Sequence, residues 1–311
     1  MTSDVTGTAV EQSRAMTVEV AGRTVTSCRL GGGEPLLYLH GLCDVHSAGT
    51  PSEPPLFLAR LAEQHHVIAP ALPGYPGSSG LEEIEDVEDC AWQLVDLLDA
   101  LDLTRVDIVA HSLGGWFAAE LALRHPARVR RLALVAPLGL HVRGVEVPAF
   151  FGAVAPRGVG GMGEARRLLF ADPDGDAATR ALPDEMSRDA QLRWFGGLAG
   201  AARLGWRAPH FQSRQLARRL GRITTPVLVV GGHGDLLVPP VVARAWSDGL
   251  DAARRVEIAG AGHCIPLEQP DSARHVLAFL SDPGVTDPSG NADADLPGVT
   301  DVSRATGTTG S

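Results

Sequence analysis

VDIVAHSLGGWFAAELALRHP, Val106 to Pro126, decides the fold. It opens on an apolar, β-branched run, Val106–Val109, which predicts a buried strand. The chain turns through Ala110-His111-Ser112-Leu113-Gly114-Gly115 and continues as an apolar helix, Trp116 to Leu123. Strand, sharp turn and helix with a serine at the apex is the pattern of a nucleophile elbow, with Ala110 in place of the first glycine of G-x-S-x-G. The small residues have a steric reason. A serine on so tight a turn leaves no room for large side chains two positions before or after it. Serine also caps helices, so an ordinary strand–helix turn is the competing reading of this stretch alone.

Working outward, the 311 residues can bury a large core in one α/β domain. The net charge of −10 gives no support to nucleic-acid binding. All 27 basic residues are arginine, which excludes Schiff-base lysines and a Walker-type phosphate lysine. Cys28, Cys43, Cys90 and Cys264 are scattered, without a C-x-x-C pair, and suit neither a disulfide framework nor a zinc site. No cofactor is expected. The N-terminus is polar and lacks the apolar region of a secretory signal, and no run reaches the ~18 apolar residues of a membrane span. The expectations are a cytoplasmic location, a small-molecule substrate and no membrane partner; oligomeric state is left open.

Residues 1–15 are expected to be disordered. Met16–Val20 and Arg23–Arg29 suggest a hairpin around Ala21-Gly22. Strands are predicted at Leu36–Leu39, His66–Pro70, Val129–Val135, Pro226–Val230 and Arg254–Ala259. Helices are predicted within Pro51–Gln64 and Val238–Leu250, and over Val87–Leu101 and Leu267–Leu280. Alternation stops after Pro137, and residues 138–222 read as a helical cap inserted between core segments 16–137 and 223–280. Residues 281–311, with five aspartates against one arginine, read as a disordered acidic tail. The fold class is therefore α/β: a mostly parallel central sheet, helices on both faces, and a helical insertion.

Ligands of such sheets sit at the carboxyl ends of strands, where Ser112, Asp235, His263 and His40-Gly41 all fall. A serine hydroxyl needs a base within hydrogen-bonding reach and a third group to orient that base. His263, in GAGH, and Asp235, in GGHGD, follow successive strands in the order Ser…Asp…His. His233 and Asp271 are competitors nearby, and Asp235 could instead cap the following helix. Two oxyanion donors are needed: the backbone N–H of Leu113, at the positive end of the elbow helix, and that of Leu42, after the Leu36–Leu39 strand. His40 and His111 read as braces rather than proton carriers. The aromatics of residues 145–211 suggest an apolar pocket, with Trp194 and Trp206 as candidate substrate contacts.

These residues carry a family resemblance. YLHGL at 38–42, VIAPALPGYPGSS at 67–79, AHSLGG at 110–115, PVLVVGGHGD at 226–235 and GAGH…PLEQP at 260–270 resemble the capped α/β-hydrolases of the esterase, C–C hydrolase and epoxide-hydrolase-like group. The resemblance spans roughly residues 30–280. It implies Ser112, Asp235 and His263 as nucleophile, acid and base. Epoxide hydrolases and haloalkane dehalogenases use an aspartate where Ser112 stands. Plant-type hydroxynitrile lyases need a lysine. Proline iminopeptidases and meta-cleavage C–C hydrolases differ around Leu42-Cys43-Asp44, and the latter also at His111. Hydrolysis of a carboxylic ester or lactone is the expectation. The alternatives are a C–C hydrolase with Arg166, Arg193 or Arg203 holding a substrate carboxylate, a cyclase or acyl transferase, and a ligand receptor.

Overall fold

The computed structural model describes residues 14–41, 54–148, 150–154, 162–206, 210–251 and 253–285. β1 (Arg14–Val20) and β2 (Arg23–Leu30) form the expected hairpin, turning where Ala21 and Gly22 both take positive φ. It begins earlier than expected: Arg14 and Ala15 pair with Arg29 and Cys28. Then follow β3 (Pro35–Leu39), α1 (Leu56–Ala62), β4 (His66–Pro70), α2 (Val87–Ala100), β5 (Val106–His111), α3 (Leu113–Arg124) and β6 (Val129–Val135). The insertion contributes β7 (Gly139–Leu140), α4 (Phe150–Val154), α5 (Gly163–Leu169), α6 (Asp176–Ala181), α7 (Arg188–Gly205), β8 (Gln212–Ser213) and α8 (Arg214–Arg219). The chain ends on β9 (Val227–Gly232), α9 (Pro240–Asp248), β10 (Ala253–Ile258), α10 (Ile265–Glu268) and α11 (Ala273–Leu280).

Eight strands form one sheet in the order β1-β2-β4-β3-β5-β6-β9-β10, parallel from β4 to β10, with β1 and β2 antiparallel. From β3 the chain moves to β4 on one side, then returns past β3 to β5 and builds outward the other way. That reversal puts the topological switch between β3 and β5, and their carboxyl ends bear His40-Gly41 and Ser112.

Both faces of the sheet are covered, as side-chain period two requires of a parallel sheet. Leu37, Leu39, Ile108, Ala110, Leu132, Leu134, Val227 and Val229 share one core with α2, α3, α9 and the cap. Leu36, Tyr38, Val109, Ala133, Val135, Leu228 and Val230 point the other way, against α1 and α11. Two-sided burial explains why these strands read as unbroken apolar runs.

Three features differ from the sequence reading. The helix expected at Leu267–Leu280 is interrupted by a short turn at Pro270–Ser272, because Pro270 has no N–H to continue the helical ladder. The insertion closes on a two-residue parallel ladder, Gly139 with Gln212 and Leu140 with Ser213, that no pattern announced. Residues 281–285, expected in the tail, are bonded to the core. Arg131 donates to the carbonyls of Leu280, Asp282 and Val285, and Arg254 pairs with Asp282 at 2.6 Å. Residues 286–311 lie outside the described residues.

Candidate active site

Ser112 links β5 to α3 with φ 55° and ψ −116°, a conformation that a residue with a Cβ rarely adopts. Its N–H donates to Val135 O at 2.9 Å, and its carbonyl accepts from Gly115 and Leu138 N–H, both at 3.0 Å. The glycines of the turn are required by contact. A Cβ on Gly114 would stand 2.5 Å from Leu39 O, and one on Gly41 2.7 Å from both Ser112 Cβ and His111 Nδ1. The elbow thus packs directly on the end of β3.

The two later loops bring their side chains to this serine. Ser112 Oγ donates to His263 Nε2 at 2.7 Å, and His263 Nδ1–H donates to Asp235 Oδ2 at 2.9 Å. The other oxygen, Asp235 Oδ1, accepts from Leu237 N–H at 2.9 Å and Val238 N–H at 2.7 Å. The turn ahead of α9 therefore fixes the carboxylate's rotation and leaves one oxygen for the imidazole. The bond to Asp235 holds the proton on Nδ1 and leaves Nε2 as the acceptor that a serine nucleophile requires. All three side chains are buried, at 1–2% exposure. Of the competitors, His233 is exposed, and Asp271 pairs with Arg60 at 3.1 Å on the surface.

His111 Nε2 donates to the carbonyl of His263 at 2.9 Å, bracing the histidine loop from the elbow. His40 donates from Nδ1 to Gly41 O at 2.8 Å and accepts Leu72 N–H on Nε2 at 2.9 Å, so its neutral ring ties the end of β3 to the loop after β4. Leu113 is the first residue of α3, where N–H groups have no partner within the helix. Leu42 lies outside the described residues.

Burial differs between the two candidate tryptophans. Trp194, on α7, is buried at 4% exposure. Trp206 is 67% exposed and stacks on Phe151 with ring centroids 4.6 Å apart. Phe151 in turn meets Phe150 at 5.5 Å and Phe211 at 5.3 Å. Phe150 and Phe211 belong to the core shared with the sheet, and Trp206 packs at its exposed margin rather than being enclosed over the serine. Two of the three arginines considered for a substrate carboxylate are already engaged. Arg166 donates to Leu182 O and to both oxygens of Asp184, and Arg203 donates to the carbonyls of Ile84 and Glu82. The side chain of Arg193 is outside the described residues. Among the described residues no cluster of His, Cys, Asp and Glu could hold a metal ion, and no helix is long and apolar enough to cross a membrane.

One contact network was not read from the sequence. Glu268 accepts Gly262 N–H at 2.7 Å and Ala171 N–H at 2.6 Å, linking the histidine loop to the insertion. The carboxylate lies in the PLEQP stretch at 266–270, and its partners are backbone amides that no side-chain pattern encodes.

A hydrogen-bonded Ser–His–Asp chain at the switch point of a mostly parallel sheet, in that chain order, defines a serine hydrolase architecture on the α/β-hydrolase fold. The chain belongs to the alpha/beta hydrolase family, whose profile matches residues 36–273. It is 31% identical over 263 residues to a Cupriavidus necator dihydrolipoyllysine-residue acetyltransferase component of an acetoin cleaving system, covering 83% of this chain and 67% of that protein. It is 30% identical over 266 residues to a 2-hydroxymuconate semialdehyde hydrolase of Pseudomonas sp. strain CF600, covering 81% and 86%. Among solved structures, a naproxen esterase from Bacillus subtilis superposes with a TM-score of 0.66 at 16% identity, covering 87% of this chain and 92% of that one. A meta-cleavage product hydrolase from Pseudomonas fluorescens IP01 gives 0.66 at 19% identity, covering 85% and 97%.

Proposed function

We propose that the protein is a serine hydrolase that cleaves a carboxylic ester or lactone of a small, largely apolar substrate through an acyl-enzyme on Ser112. The observation that carries this reading is the continuous bond chain from Ser112 Oγ through His263 to Asp235, with Asp235 itself held by two backbone amides. Ser112 Oγ attacks the ester carbonyl as His263 Nε2 takes its proton. The developing oxyanion is met by Leu113 N–H at the positive end of α3 and, in this reading, by Leu42 N–H. His263 then gives its proton to the departing alkoxide. Water, deprotonated by the same nitrogen, releases the acid and restores the serine. Asp235 keeps its bond to Nδ1–H and stabilises the imidazolium.

C–C bond hydrolysis of a vinylogous diketone acid is a second reading, drawn from the 30% identity to the semialdehyde hydrolase. Against it, Arg166 and Arg203 are held by Asp184 and by carbonyl groups, away from the task of binding a substrate carboxylate. The buried Trp194 is the better candidate for an apolar wall. A fluorophosphonate probe should label Ser112, and a series of p-nitrophenyl esters should be turned over where diketone acids are not. No labelling of the wild type would overturn the serine-hydrolase reading; turnover of diketone acids alone would select the second.

A further inference from the structure

Four residues of the insertion, Leu169 to Asp172, run against the loop that carries His263. His263 N–H and Cys264 N–H both donate to Leu169 O, at 2.9 and 3.0 Å. A Cβ on Gly262 would stand 2.6 Å from Ala171 N and 2.7 Å from Phe170 C, so the two backbones touch with no side chain between them. Glu268 stands one helical turn beyond His263, at the end of α10. Its Oε2 accepts Gly262 N–H, next to the histidine, and its Oε1 accepts Ala171 N–H across the gap. Burial pushes this carboxyl above its ordinary range, and the charge of Asp235 adds to that push, while the backbone donors pull it back. Desolvating a carboxylate here is unfavourable unless the bonds it makes are used.

We propose that Glu268 is a positioning residue: its carboxylate fastens the strap Leu169–Asp172 to the loop bearing His263, and so sets where the imidazole stands over Ser112. Cap placement and histidine alignment are thereby coupled through one side chain that touches neither substrate nor proton. The inference rests on His263 being the base of the proposed hydrolase. Displacement of a catalytic group by about an ångström can cost a hundredfold in rate without changing how substrate is bound.

The test uses the full chain and active-site titration with the fluorophosphonate, so that rates are expressed per competent serine. Glu268→Gln turns one acceptor into an N–H₂ facing an N–H, which breaks the bridge at one end. We expect kcat per titrated site to fall about tenfold or more, KM for a short p-nitrophenyl ester to stay within about twofold, and the melting temperature to move little. Gly262→Ala separates the same two backbones by steric contact and should reproduce the split, and the double variant should be little worse than either single one. Wild-type kcat per titrated site in Glu268→Gln, or a loss accounted for wholly by fewer titratable sites, would overturn the proposal. A wild type that takes no label would instead remove the hydrolase reading on which it rests.

Discussion

The backbone of Ser112 is held in a conformation costing of the order of 1–3 kcal/mol, and three hydrogen bonds to its own peptide groups keep it there. The strain lifts Oγ off the strand axis, toward a histidine that arrives from the far end of the sequence. Ser112→Ala, Asp235→Ala and His263→Ala should each lower kcat by roughly 10³ or more, and the losses should not add, because the three act as one unit. Near-wild-type ester turnover by Ser112→Ala would refute the assignment of the nucleophile. These side chains were legible in the sequence because each follows a predicted strand in a glycine-rich turn, a place that chemistry rather than packing selects. Asp235 was legible only in part. Its bonds to Leu237 and Val238 N–H make it a turn residue as well as the imidazole's partner. Glu268 was not legible as a residue with a role, since its partners are backbone amides, which every non-proline residue carries and no side-chain pattern encodes.

Elements meet at the site through surfaces of unequal precision. α7 lays Gly196, Gly197 and Gly200 on the Pro73–Tyr75 loop: a Cβ on Gly197 would stand 2.9 Å from Tyr75 Cε1, and one on Gly200 3.1 Å from Pro73 O. Tyr75 in turn meets the ring of His40 edge-on, with centroids 4.4 Å apart. Gly197→Val should therefore push α7 or Tyr75 aside and alter the ratio of kcat/KM between long and short acyl esters by about tenfold, measured across a p-nitrophenyl ester series. An unchanged ratio would mean that this contact does not shape the acyl site. Arg166 gives a contrasting prediction. Arg166, 7% exposed, donates to Leu182 O and Asp184, so Arg166→Met should cost about 1–3 kcal/mol and lower the melting temperature by several degrees, with KM for acidic substrates no worse than for neutral ones. A selective rise in KM for acidic substrates would assign it to recognition instead. The interior strands β3, β4, β5, β6 and β9 were legible almost to the residue, because burial on both faces leaves a largely apolar run, a signal that the exposed edge strands β1 and β10 lack. The insertion was legible only as helical. Its placement depends on the Gly139–Leu140 ladder and the Leu169–Asp172 strap, where backbone meets backbone, and its exposed Trp206 shows that an aromatic can serve a local cluster as readily as a pocket.

At the scale of the whole molecule, titration and stability are linked through several buried or paired groups. His65 has its proton affinity lowered chiefly by burial, with the nearby Arg130 adding to the effect and Asp107 and Glu34 opposing it. His66 is lowered by burial and by Arg29, and His125 by burial and by Arg128 and Arg124. Each histidine binds a proton less readily folded than unfolded, so protonation favours the unfolded chain. The stability they contribute is present above their ordinary value of 6.5 and is lost as pH falls through the lower folded values. Glu268 has the opposite sign. Its raised carboxyl favours the fold below the ordinary 4.5 and loses that contribution as pH rises through its folded value. Asp184 and Asp282, held low chiefly by Arg166 and Arg254, contribute stability above 3.8 and lose it only as pH falls below that value. We expect the melting temperature to fall by about 2–6 °C between pH 7 and pH 5, and the slope to flatten in His65→Gln, whose side chain cannot take up the proton. A melting temperature level over that interval in the wild type, or the same slope in the variant, would mean that the buried histidines do not control acid stability and that another group does.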